Sequence, residues 1–302
     1  MVSRIGTFAN TNMLVQASLK LQARLADQQA QEASGLKSTS FSGLKGDAGK
    51  VLNLQAQTAR LEAESATANA AAADVQSAYS AVGDITDLAT TVRARLSAGL
   101  SSTTVTSTAI TAEDAKGWLQ TLQSALNTEV GGRYVFSGQA VDRAPVDFTD
   151  AGYDPTSSPD EADTGYYQGS STRRQLTTTG GSTIQVSIGA DAPGFEALAR
   201  ALSLLASAPG DQSTLSKVYD QVSSALTDLA TTQATLSNQA AALDTLTSEN
   251  SVKVTTAKNL ASDLKGADLS TAAVMVTQYQ TQLEAIYSAI GKLASDSILK
   301  YL

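Results

Sequence analysis

The chain has 302 residues, 42% of them apolar but only 5% aromatic, so Ala, Leu and Val carry the apolar share and favour long helices packed by small side chains. A balance of 29 acidic against 21 basic residues, with no Lys/Arg stripe, argues against a nucleic-acid partner. His and Cys are both absent, which excludes imidazole acid/base work, thiolate nucleophiles, disulfides and soft-metal sites, and leaves only hydroxyl, Lys or carboxylate chemistry.

The first segment predicts a terminal helix over 1–38. Leu14, Leu21 and Leu25 follow seven- and four-residue steps, with Ala17 filling the seam and Lys20, Arg24 and Asp27 outside it. Its opening thirty residues hold one early Arg but no continuous apolar run, unlike a Sec-type signal peptide, and no run of about 18 apolar residues predicts a membrane span. Ser34-Gly35 and the Gly/Ser-rich SFSGLKGDAGK (40–50) interrupt the helix. A second helical pattern begins near Val51 and belongs to a rod part over 39–135. Its stripe is Val75, Tyr79, Val82, Ile85, Ala89, Val92 and Leu96. The run SSTTVTST (101–108) ends it and could carry O-linked sugars, although a helix-breaking loop explains it equally. Thr111 then offers an N-cap with Asp114 three residues on, ahead of a shorter helix bearing Trp118, Leu119, Leu122 and Leu126.

At Gly131 the composition changes to Gly, Pro, Asp and Thr. The β-type runs are RYVF (133–136), RRQLTTT (173–179) and STIQVSIG (182–189), with Gly180-Gly181 as a hairpin turn, so 136–192 reads as a small β-rich insertion. All five prolines fall between 145 and 209. Helix resumes at Pro193-Gly194 and forms a second rod part over 193–264. There Val222, Leu226, Leu229, Gln233, Leu236, Ala240 and Leu243 alternate steps of four and three. After Lys265-Gly266 the last helix, over 265–302, carries Leu269, Ala272, Val276, Tyr279, Leu283, Ile286, Ile290 and Leu293 at the same spacing. The fold class expected is therefore mainly α: a long antiparallel helical coiled coil or bundle formed by both termini, with a small β-rich central insertion.

Leu14, Leu21, Leu25, Leu269, Val276, Leu283, Ile286, Ile290 and Leu293 are the candidate assembly interface. A helix pair cannot fully cover two such seams, and each buried Leu or Ile contributes roughly 1.5–3 kcal/mol, so uncovered seams drive association between copies.

Other motifs carry less. Gly43 to Val51 approximates a phosphate loop but has Val where the hydroxyl belongs and no preceding strand. The acidic loop with Asp147, Asp150, Asp154, Asp160, Glu161 and Asp163 fits no EF-hand; weak Ca²⁺ binding is conceivable, but it reads as a solvated loop. The carboxylate pairs Asp84/Asp87 and Glu62/Glu64 read as solvated surface. No cofactor, metal or catalytic residue is expected, and the chain does not read as an enzyme.

The nested plan resembles the flagellin family of bacterial axial proteins. GGRYVFSGQ (131–139), with Gly132, Arg133, Tyr134, Phe136 and Gly138, resembles a Gly-Arg-Tyr-hydrophobic-Phe-Ser/Ala-Gly motif opening the central module in members that sit between hook and filament. The stretch 166–202 and the ending SILKYL (297–302) resemble the same members. Where family members commonly carry an Asn-x-x-x-Asp-Asp-Pro-like loop, this chain has SFSGLKGDAGK. The resemblance implies a secreted structural subunit of the extracellular flagellum, self-assembling in a helical tube through its terminal helices, with the central module outward. The partners it implies are neighbouring axial proteins, on the hook side and in flagellin itself, and an export chaperone; nucleic acid and membrane insertion are not among them. The main filament subunit is the alternative within the same plan.

Overall fold

The computed structural model describes residues 2–101 and 110–299, with the side chains of 9–101 and 110–293. The expected class holds: the chain is 71% helical, with long helices at both ends and a small two-stranded insertion between them. The helices are α1 (Val2–Ser34), α2 (Ala48–Ser101), α3 (Ala112–Leu126), α4 (Pro193–Ser207), α5 (Gln212–Lys265) and α6 (Leu269–Leu299). The Ser/Thr run at 102–108 and the last three residues of SILKYL lie outside the described residues.

Local chemistry sets the helix ends. Gly35, at φ +69°, stops α1 in the left-handed conformation that only Gly adopts cheaply, and its N–H returns to the Gln31 carbonyl at 2.8 Å. Thr111 and Asp114 form the expected capping box, with N–H to side-chain bonds of 3.1 and 3.0 Å. Pro193 occupies the first turn of α4, where its missing N–H costs nothing. Asp211 caps α5 by accepting from the Thr214 N–H at 2.8 Å, and Asp268 caps α6 by accepting from Ser270 and Thr271.

The chain divides into two compact units, one of residues 1–59 and 253–302, the other of 60–252. In the first, α1 packs against α6. Gln22 donates to the Tyr287 hydroxyl, and Leu36 bridges Gly266 in antiparallel fashion. The Lys37 N–H meets the Lys265 carbonyl at 2.7 Å and the Ala267 N–H meets that of Gly35 at 2.9 Å. The two helices therefore run antiparallel, clipped where α1 ends and α6 begins. The glycine-rich link after α1 becomes a short 3₁₀ turn, Phe41–Asp47, with Leu44 buried.

In the second unit the apolar stripe of α2 is a strict heptad. Leu61, Ala68, Val75, Val82, Ala89 and Leu96 are all buried, as is a second row of Ala71, Ala78, Ile85 and Val92, whereas Tyr79, which the sequence places in the stripe, is exposed beside Ala78. On α5 the row Val222, Leu229, Leu236 and Leu243 is buried as expected, but its companions are Val218, Ala225, Thr232 and Gln239. Leu226, Gln233 and Ala240 are only half-buried. A two-helix seam buries two rows. The start of α4 also lies on α5, where a Cβ on Gly194 would come within 3.0 Å of the Leu229 nitrogen, so burial spreads to the row on that side. The Val222 row continues to Asn250, buried with its amide nitrogen unpartnered among the described residues.

Two small hairpins lie between α3 and α4, the first just ahead of the expected insertion and the second within it. β1 (Glu129–Val130) pairs with β2 (Arg133–Tyr134) across Gly131-Gly132, both at positive φ, as a type I′ turn requires. β3 (Gln175–Thr177) pairs with β4 (Thr183–Gln185) in the register Leu176 opposite Ile184. These strands are shorter than the sequence runs. Val186 still donates its N–H to the Arg174 carbonyl at 3.0 Å just past β4, and both Val186 and Ile188 are buried in the core. Beneath lies an aromatic cluster: Phe148, Tyr153 and Tyr166 have ring centroids 5.0 to 5.6 Å apart, and Phe136 meets Phe195 edge-on at 5.5 Å. Burial raises the pKa of the Tyr153 and Tyr166 phenols well above the ordinary value.

Candidate functional site

The pairing of α1 with α6 decides where the candidate assembly residues lie. Leu21 and Leu283 are each only 7% exposed, covered within one chain. Leu14, Leu25, Val276, Ile286, Ile290 and Leu293 are half-buried. Leu269, at the start of α6, stays 50% exposed. The seam is thus largely closed by the chain itself.

What remains open lies beside and behind it. Met13 is 67% exposed, Leu19 59% and Val274 64%; Val15 and Tyr287 are exposed as well. At about 100° per residue, Leu19 lies on the face of α1 turned away from Leu14, Leu21 and Leu25, Val15 lies on the flank of that seam, and Val274 lies roughly opposite the Val276–Leu283 stripe on α6. Both helices thus carry apolar residues outside the seam that pairs them, exposed in the single chain. The heptad reading passed over these residues because it selects the one row that fits a single partner. The signal for them was an apolar residue between the seam positions, as in Met13-Leu14-Val15.

The insertion motif falls into two halves. Gly132 and Arg133 are exposed, Tyr134 is half-buried, and Phe136 and Gly138 are buried. Gly138 sits at φ +66°, and a Cβ there would lie 2.3 Å from the Ser170 carbonyl oxygen. The Phe136 ring packs edge-on against Phe195 of α4, while the Phe136 carbonyl takes the Ala190 N–H at 2.9 Å. The buried half of the motif thus ties the first hairpin to the segment leading into α4.

Two carboxylates of α2 hold the second hairpin. Arg174 donates from Nη1 to Asp74 at 2.8 Å, and the Thr179 N–H donates to Glu64 at 3.0 Å. Ten helical residues rise about 15 Å, close to the reach of the five-residue extended step from 174 to 179, so the hairpin lies along the helix axis. Glu64 is therefore not merely solvated surface as its sequence context implies; its partner is 115 residues away, and no local pattern reveals it. Asp84 and Asp87 are exposed.

The acidic loop uses its carboxylates on its own backbone. Asp147 takes the Thr149 hydroxyl and N–H, and Asp154 takes the Thr156 hydroxyl and N–H, which lowers the pKa of both. Asp163 takes the N–H groups of Asp154 and Gly165, both at 2.8 Å. Glu196, buried in α4, accepts the Asp163 N–H at 3.0 Å and pairs with Arg200 at 2.8 Å. Among the described residues no group of three or more acidic side chains is arranged to hold a metal, and no helix is long and apolar enough to cross a membrane. The Gly43–Lys50 string is the 3₁₀ turn and the first residues of α2, with no strand before it.

The fold is similar to that of a solved protein described as flagellar and hook-associated. A protein of Vibrio parahaemolyticus described as a flagellar hook-associated protein superposes with a TM-score of 0.58 at 15% identity, over 74% of this chain and 100% of that one. FlgL of Bacillus cereus superposes with a TM-score of 0.49 at 14% identity, over 65% of this chain and 97% of that one. No protein-family model matches the chain, and no curated protein sequence does.

Proposed function

We propose that the chain is a structural, non-enzymatic subunit of the extracellular bacterial flagellum, of the kind that joins hook to filament, and that it assembles through α1 and α6. One observation carries the reading: an antiparallel pair of terminal helices still leaves Met13, Val15, Leu19, Leu269, Val274 and Tyr287 exposed after its own seam is closed. At roughly 2 kcal/mol per fully buried side chain, covering what remains of these six is worth about 6 kcal/mol per subunit before ordering costs. Neighbouring copies in a tube supply that cover on several sides at once. The likeness to a hook-associated fold supports the same reading.

In this scheme residues 1–38 and 265–302 form the inner tube, 39–135 and 193–264 the rod around it, and 136–192 the outward module. Its neighbours are other axial proteins, one on the hook side and flagellin on the other. The chain leaves the cell by the flagellar export route, held beforehand by a chaperone. Deleting its gene in the source bacterium tests the assignment. Loss of a junction subunit leaves bare hooks and releases unassembled flagellin into the medium. Little flagellin in the medium would make the chain the filament subunit instead, and normal filaments would refute a flagellar role.

A further inference from the structure

Away from the terminal helices, the second unit has a cavity of about 280 Å³ between α2 and the second hairpin. Its polar lining comprises Thr67, Asp74, Arg133, Gln139, Arg174 and Gln175. Two guanidinium groups here share one carboxylate. Arg174 takes Asp74 directly at 2.8 Å, whereas Arg133 stands 3.8 Å from the same oxygen, beyond hydrogen-bond reach, and is largely open to solvent. Arg174 is mostly buried, and its Nε–H finds no acceptor among the described residues. A buried guanidinium donor without a protein acceptor is rare in a folded protein, and an oxygen from water or a ligand would satisfy it. The lining carries one net positive charge, in a chain whose total is −8.

We propose that this cavity binds a carboxylate, received by the Nε edge of Arg174 and by the guanidinium of Arg133. The Nη1 nitrogen of Arg174 is committed to Asp74, which leaves the edge whose N–H bonds run parallel and match the two oxygens of a carboxylate. Asp74 in the wall repels a doubly charged anion, so a planar monoanion suits the site better than phosphate. The carboxylate comes either from a free acid or from an Asp or Glu side chain of a second copy of this chain.

The test follows the Arg174 Nε–Hε resonance of the nitrogen-labelled full chain while acetate is added, with chloride at equal ionic strength as the control. The expected result is a saturable displacement by acetate. It weakens roughly tenfold in Arg133→Gln, as for loss of one charge-assisted hydrogen bond, with an unchanged melting curve. A displacement that grows with protein concentration instead of acetate assigns the carboxylate to a second copy and upholds the site. Chloride moving the resonance as far as acetate, or neither acetate nor protein concentration moving it, overturns the proposal. If Arg133→Gln fails to fold, the acetate-against-chloride comparison on the parent chain decides alone. None of these outcomes depends on whether the chain belongs to a flagellum.

Discussion

Leu19 and Leu21 lie two residues apart on α1, yet substituting each should have opposite consequences. Leu21 is 7% exposed against α6, and Leu19 is 59% exposed on the far side of the same helix. Leu21→Ala removes buried methyl groups and leaves a partial cavity, a loss of about 2–3 kcal/mol from a helix pair that can relax around it. Leu19→Gln removes little from the monomer, since that side chain is mostly in water already. In an assembly, however, it forfeits burial of the remaining surface, about 1.2 kcal/mol, or roughly an eightfold loss in association per contact. Adding Met13→Gln and Val274→Gln brings the loss to about 4 kcal/mol per subunit, close to three orders of magnitude. Circular dichroism melts read the monomer, and light scattering of the purified chain with isolated hooks reads assembly. The reasoning fails if Leu19→Gln melts as early as Leu21→Ala, or if the triple variant assembles like the parent.

Three further outcomes follow from the second unit and the helix ends. Asp74→Ala leaves the mostly buried Arg174 without its counter-ion and should destabilise the second unit by about 3 kcal/mol, with the loss of protection in hydrogen exchange centred on residues 174–179. Gly138→Ala faces both a positive φ and a backbone oxygen at 2.3 Å and should cost more than about 2 kcal/mol in a denaturant melt; Gly131→Ala, at positive φ in open space, should cost about 1 kcal/mol. Asp211, held at about 2 by the hydroxyls of Ser213 and Thr214, stabilises the start of α5 fully above the ordinary carboxylate range. That stabilisation is lost as pH falls from about 4 through about 2, so exchange protection of the first turn of α5 should fall over that window, and Asp211→Asn should flatten the dependence.

The helices and their ends were legible because their causes are local. The Thr111–Asp114 capping box, the Ser34-Gly35 stop and Pro193 at the head of α4 each sit within a few residues of what they control. One seven-residue row on each of α2 and α5 was legible for the same reason, but the companion rows were not fully so: Tyr79 is exposed, and Leu226, Gln233 and Ala240 are only half-buried. Three things were not. β1 is only two residues long, too short for any period, and it exists because Gly131-Gly132 turns the chain back on itself. The anchors Glu64 and Asp74 have partners 115 and 100 residues away, so nothing near them in sequence gives them a role. The open residues of α1 and α6 were hidden by the success of the heptad: a seam found by its period satisfies one partner helix, and apolar residues outside it show only once that partner is in place.

Because the chain has no cysteine, a single Leu19→Cys substitution gives one reporter thiol on the open face of α1. Maleimide labelling of that thiol, in secreted monomer and in isolated flagella, measures whether neighbouring copies cover this face. Rapid labelling of the monomer and near-complete protection in flagella is the expected result. Equal labelling in both would mean that the open apolar face is not where the chain assembles.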